Sequence, residues 1–159
     1  MFTLATIIVI DALSALRRDN GGAMTSPPIS DLATLLASMR PELYAGVWAW
    51  CALPHGTPVD GVDAIASVRE TEGLTLVVPE AQALARGWPV AFRSARITLT
   101  VHSDLAAVGL TAAFARALGD AGIACNVIAG VHHDHLFVPV DRGADAMACL
   151  HGLQARGGV

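Results

Sequence analysis

The chain has 159 residues, 53% of them hydrophobic and only 15% charged, a balance that excludes a disordered polymer and predicts one compact domain or two small ones sharing a core. Ten cations against fourteen acids leave a formal charge of −4, with no basic patch to recruit nucleic acid or an anionic membrane surface. All ten cations are Arg, so a phosphate-binding P-loop lysine, a Schiff-base lysine and a lysine general base are excluded.

The first apolar run, Phe2 to Ile10, is shorter than the roughly 20 residues a membrane-spanning helix needs and has no basic region before it. Asp19-Asn20-Gly21-Gly22 breaks the pattern and Met24 opens a new stretch. Residues 1–23 are therefore read as an extension upstream of a natural start at Met24, the alternative being one additional helix or strand. Asp31 caps a short helix with Leu32, Leu35, Leu36 and Met39 on one face, closed by Arg40-Pro41. Val47 to Leu53 reads as a strand, followed by a Pro/Gly loop from Pro54 to Gly61. Ile65 to Glu70 and Leu74 to Val78 form a strand pair around the turn Thr71-Glu72-Gly73, where Gly supplies a positive φ. Pro79 opens a helix through Ala85 that stops at Gly87, and Trp88-Pro89 links to the second half.

Arg96 to His102 alternates strictly, with Ile97, Leu99 and Val101 on one face, as a half-buried strand does. Ser103 or Asp104 then caps a helix carrying Leu105, Val108, Leu110, Phe114 and Leu118, with Gly119 and Gly122 at its end. Cys125 to Val131 is a strand, His132-His133-Asp134 a tight turn, His135 to Val140 the returning strand, and Arg142 to Gln154 a final helix. The second half thus reads β-α-β-β-α, and the first half β-loop-β-β-α, a duplication of topology rather than of residues. Right-handed crossovers put the helices on one face of the sheet, which predicts an α+β fold of tandem ferredoxin-like (βαββα) units with antiparallel sheets. The units divide as residues 24–90, degenerate, and 91–159. No strand follows the last helix, so a strand from the first half, or from a partner subunit, is expected to complete the second sheet.

Three constellations carry chemistry. His132-His133-Asp134-His135 offers zinc donors, and the metal reading rests on His133, Asp134 and His135 with His102 or His151 as remote ligands. Adjacent side chains in an extended segment point to opposite sides, so at most two of the four converge on one ion. Ser103 with His102 or His133 and Asp134 outlines a hydrolase triad, but no GxSxG turn is present, and no GxGxxG or Walker motif supports a nucleotide cofactor. The three Cys (Cys51, Cys125, Cys149) form no CxxC pair and read as buried thiols of a reducing cytoplasm. The third constellation binds without reacting. The loop Val101 to Gly109 leads into a helix N-terminus, where free amides and the helix dipole favour a carboxylate. Asp134 at the adjacent hairpin suits an ammonium, and the two ends together suit an amino acid. The plainer alternative is that Gly109 serves helix–sheet packing and Asp134 completes a turn.

The stretch "ITLTVHSDLAAVGLTAAFARALGDAGIACNVIAGVHHDHLFVPV", Ile97 to Val140, resembles the ACT domain, the small regulatory module of aspartate kinases and other amino-acid enzymes. With "PEL…G…WCAL" and "ETEGLTLVVPE", residues from about Asp31 to Leu153 resemble short stand-alone bacterial proteins with two ACT domains, and half of the cytosolic arginine sensor. The resemblance implies no catalytic activity, a side-by-side sheet dimer and an effector amino acid held between ACT units. The ligand-binding positions it implies, with Ser103 on the same loop, are Ala107, Val108 and Gly109, and at the hairpin Gly130, Val131 and Asp134. Gly109 and Asp134 keep the pattern. Ala107 departs from it, since the arginine sensor has an acidic residue there, which argues against arginine as the ligand. The expectation is a cytoplasmic, non-catalytic regulatory homodimer without cofactor, binding a small-molecule amino acid at an inter-ACT interface. The alternatives are a ligand-free dimeric adaptor docked on a partner protein and a His/Asp metal-binding protein.

Overall fold

The computed structural model describes residues 7–8, 31–101 and 107–157. Its elements in chain order are β1 (Ile7–Ile8), α1 (Leu32–Ser38), β2 (Pro41–Leu43), β3 (Trp48–Leu53), β4 (Ala66–Arg69), β5 (Leu74–Pro79), α2 (Glu80–Ala85), β6 (Val90–Leu99), α3 (Leu110–Asp120), β7 (Asn126–Ala129), β8 (Asp134–Pro139), a single 3-10 turn (Val140–Arg142) and α4 (Gly143–Gly157). The Asp31 carboxylate accepts the Thr34 N–H at 2.9 Å and so caps α1, while Leu35 and Met39 bury the apolar face. No helix among the described residues is long and apolar enough to cross a membrane.

All described strands join one sheet in the order β1-β7-β8-β6-β3-β5-β4, with β2 also paired to β6. The pairings are antiparallel except β1 with β7, which is parallel (Ile7↔Val127, Ile8↔Ile128). β6 organises the molecule. Its N-terminal half pairs with β3, from Val90↔Cys51 to Ser94↔Trp48. Its C-terminal half pairs on the same edge with β2, from Ile97↔Leu43 to Leu99↔Pro41. The other edge takes β8, from Ser94↔Pro139 to Leu99↔Asp134. β6 is thus the last strand of a first ferredoxin-like unit (β6-β3-β5-β4) and the first strand of a second (β2-β6-β8-β7). The strand missing from the second unit comes from the first half as β2. In the first unit residues 54–65 replace the first helix with a loop.

Side-chain alternation sorts the residues onto two faces. On one face α1, α3 and α4 cover Ile97, Leu99, Val127, Leu136 and Val138, with Phe114, Leu118 and Leu150 contributed from the helices. α2 covers Ala49, Cys51, Leu76 and Val78 in the first unit. On the other face Val77, Ile128 and Phe137 form a cluster with Trp48 and Trp50 that spans both units. Trp48 and Trp50 meet Phe137 edge to face at 6.4 and 5.5 Å between ring centres. Buried Ser94 of β6 accepts from Trp50 Nε1 at 3.2 Å and donates to the Trp48 carbonyl at 3.0 Å.

Several boundaries differ from the sequence reading. β6 begins at Val90, not Arg96, because a register shift between Trp50 and Cys51 hides the alternation of its first residues. α3 begins at Leu110, not at Ser103 or Asp104, because Gly109 takes a φ of +108° that starts the helix anew. Val108 accordingly lies outside the helix and is 86% exposed. Asp134 opens β8 instead of closing the turn, paired with both Leu99 and Ala129. The final helix runs beyond Gln154 to Gly157.

Candidate functional site

The register Leu99↔Asp134 puts the end of β6, the approach to α3 and the β7–β8 turn at one end of the sheet. Gly109 is the N-cap of α3 and gives it no side-chain hydrogen bond. An added Cβ there would lie 2.8 Å from Leu32 Cδ2, so α1 packs directly against this corner. The positive φ requires Gly here, whereas the close approach is to the end of the Leu32 side chain, which can shift. Ala107 is half-buried against the core, whereas Val108 points to solvent. Across the corner the Gly130 N–H donates to the His133 carbonyl at 2.9 Å and closes the turn. A Cβ on Gly130 would meet that same carbonyl oxygen at 2.9 Å. Val131 at the tip is 66% exposed.

Asp134 is the buried charge of the corner, with 8% of its surface accessible. It shares its face of β8 with Leu136 and Val138, beneath the helices. Burial pushes its carboxyl above the ordinary carboxylate range, and the charge of His133 opposes that shift. Of the expected binding residues, Gly109, Gly130 and Asp134 are brought to the same end, with Ala107, Val108 and Val131 around them. Ser103 lies outside the described residues, as do His102 and Asp104.

The same alternation separates the metal alternative. Asp134 points to the helical face and His135 to the opposite one, where its Nδ1 lies 2.9 Å from Thr98 Oγ1. Burial, then the charges of Arg96 and His133, hold the His135 imidazole down to about 4. Among the described residues no group of three or more His, Cys, Asp and Glu is placed to hold a metal ion. Cys51 is buried, and Cys125 and Cys149 are half-buried rather than enclosed. Burial pushes the Cys125 thiol up to about 12, which makes it a poor nucleophile. The sequence reading passed over Arg96 and Tyr44, whose stacked side chains lie on the same face as His135. The available signal was the alternation Arg96-Ile97-Thr98-Leu99, which sends a cation and a hydroxyl to the face opposite the apolar side chains.

Comparison with known proteins bears on this arrangement. Residues 27–95 and residues 93–152 each match a family described as ACT domain. A search among curated proteins gives no match. Among solved structures, a Vibrio cholerae protein of unknown function, VC0802, described as a possible transport protein, is 44% identical with a TM-score of 0.69, covering 77% of this chain and 95% of its own. The ligand-free regulatory subunit of aspartate kinase from Thermus thermophilus is 8% identical with a TM-score of 0.58, covering 74% of this chain and 97% of its own. A structure of aspartokinase alpha and beta subunits is 10% identical with a TM-score of 0.52, covering 71% and 95%. The last two likenesses establish the fold alone.

Proposed function

This chain belongs to the ACT-domain family, with two such domains in tandem, and from that premise we propose that it is a non-catalytic regulatory protein that binds a small amino acid at an inter-ACT interface. The observation that carries the reading is a buried carboxylate, Asp134, at the same sheet end as a helix start with no side-chain cap. The amides of the first turn of α3 suit a ligand carboxylate, and Asp134 suits its ammonium. Exposed Val108 and Val131 offer apolar surface at this end to a second ACT unit, which favours a homodimer with the ligand at its seam. Binding regulates only if the ligand has different affinities for two arrangements of the units.

The test is a thermal-shift screen of the twenty amino acids on the full chain. A ligand at a hundred times its dissociation constant adds about 2.7 kcal/mol of stability, which is readily seen in Tm. Asp134→Ala removes the shift and leaves the fold intact. If no amino acid raises Tm, or if the shift survives in Asp134→Ala, the reading fails. In the first case the ligand-free dimeric adaptor becomes the better account.

A further inference from the structure

The sheet face away from the helices carries a second polar cluster, built around Arg96. Register puts Arg96 opposite Phe137 and Thr98 opposite His135, while the Tyr44 N–H donates to the Arg96 carbonyl at 2.9 Å. The guanidinium carbon lies 4.4 Å from the centre of the Tyr44 ring and 5.2 Å from that of Trp48. The cation thus lies over two aromatic rings, which attract its charge but accept no N–H···O hydrogen bond from it. Its Nε is buried and has no hydrogen-bond partner among the described residues, so the terminal nitrogens are the edge a ligand reaches. Among the described residues Arg93, Arg116 and Arg142 each pair with a carboxylate, while Arg96, like Arg40, Arg69, Arg86 and Arg156, pairs with none; of these five only Arg96 has a buried nitrogen without a hydrogen-bond partner. Glu42, across the ladder from Thr98, accepts instead from Thr100 Oγ1 at 3.4 Å. Asp63 acts on Arg96 through its charge, without an ion pair. A partly desolvated guanidinium with an unmet donor is costly to keep unless something completes it.

The surroundings specify the partner. Among the described residues around it His135 is neutral at pH 7, so the positive charge here is that of Arg96, partly offset by Asp63. A single positive charge matches a monoanion better than a phosphate dianion. The planar fork of Arg matches the two oxygens of a carboxylate. Half-buried Trp48 and exposed Tyr44 offer an apolar wall to whatever that carboxylate carries. We propose that this face is a second ligand site, separate from the Asp134 corner, which takes a monocarboxylate with a short apolar body, anchored by Arg96 and flanked by Tyr44 and Trp48. Arg96, Tyr44 and Trp48 come from β6, from the residue following β2 and from β3, so an occupant touches both ACT units at their shared strand.

Ligand-observed NMR titrations of the full chain test this with isovalerate, acetate and the neutral isovaleramide at constant ionic strength. Isovalerate is expected to bind saturably, acetate between about fourfold and sixtyfold more weakly, at roughly fourfold for each of its three missing carbons that is buried, and isovaleramide not measurably. Arg96→Met is expected to weaken isovalerate at least tenfold and Arg96→Lys by a smaller factor, because an ammonium lacks the bidentate edge. Arg93→Met, on the same strand but facing α2, leaves the affinity at the wild-type value. No saturable isovalerate signal, equal binding of the amide, or an unchanged affinity in Arg96→Met overturns the proposal. If Arg96→Met does not fold, an unchanged affinity in Arg96→Lys overturns it instead.

Discussion

Asp134 is a carboxylate from which water is largely removed, and it weakens the fold that holds it. Burial raises its pKa, so the folded chain binds this proton more tightly than the unfolded chain does. Its contribution therefore becomes less favourable as pH rises from the ordinary carboxylate range through the raised value, and is smallest in magnitude in acid, where both states are protonated. Asp134→Asn keeps the shape and removes the charge. It is expected to raise Tm at pH 7, because the neutral amide avoids the cost of burying the charge. The gain fades as pH falls toward about 3, where the wild-type carboxyl is itself neutral. Melting curves of both proteins across that range check it, and a variant less stable than wild type at pH 7 would show that His133 outweighs the burial. Ser94 is the contrast: it is equally hidden, but its hydroxyl is satisfied by Trp50 on one side and the Trp48 carbonyl on the other. A buried polar group that costs stability marks function more than one that is fully paired.

At the scale of elements, the turns do most to set the register. Glu70 and Gly73 exchange backbone hydrogen bonds at 2.9 and 3.3 Å to close the β4–β5 hairpin. A Cβ on Gly73 would run into the Leu53 carbonyl oxygen, backbone against backbone, with no side chain free to yield. Gly73→Ala is thus expected to cost about 1–3 kcal/mol, within the range of local backbone strain. Gly87→Ala, at φ +64° in open space, is expected to cost about 1 kcal/mol. Urea unfolding of both variants checks the order, and equal losses would refute the steric argument. This hairpin was legible in the sequence because Thr71-Glu72-Gly73 sits between two β-branched runs, although close approach is a second reason for the Gly. α1 was legible from Asp31 and the spacing of Leu35 and Met39, and the topology of both halves from the order of their apolar runs. The start of α3 was not legible, because Asp104 and Ser103 are better N-cap types than Gly109 and the helical spacing of Leu105 and Val108 extends the apolar pattern of the helix toward them. Nor was the true length of β6, since its bulge breaks the period on which strand assignment rests. At the corner, Gly109 and Asp134 stood out as residue types, but that Asp134 is paired inside a strand and hidden depends on contacts distant in sequence.

The two ACT domains of this chain do not behave as beads on a string. Both share β6 within one sheet, β2 from the first half finishes the second unit's part of it, and α1 from the first half packs on α3 and α4. The aromatic cluster of Trp48, Trp50 and Phe137 adds a contact across the shared strand that neither unit can make alone. Separating the units would expose that cluster and strip β6 of one ladder, so opening one destabilises the other. The expected outcome is a single cooperative unfolding transition. All three Trp (Trp48, Trp50, Trp88) lie in the first half, so Trp fluorescence follows that half while far-UV circular dichroism follows the whole chain. The two curves should coincide, and the calorimetric and van't Hoff enthalpies should agree. Phe114→Ala, a truncation in α3 of the second unit away from the tryptophans that costs about 3–5 kcal/mol, should move the fluorescence midpoint as far as the dichroism midpoint. A fluorescence transition that stays in place while the dichroism shifts would mean that the units unfold independently. A signal received at one unit would then have no rigid route to the other. With coincident curves, the shared strand is such a route, because any ligand that biases the position of β6 acts on both sheets at once.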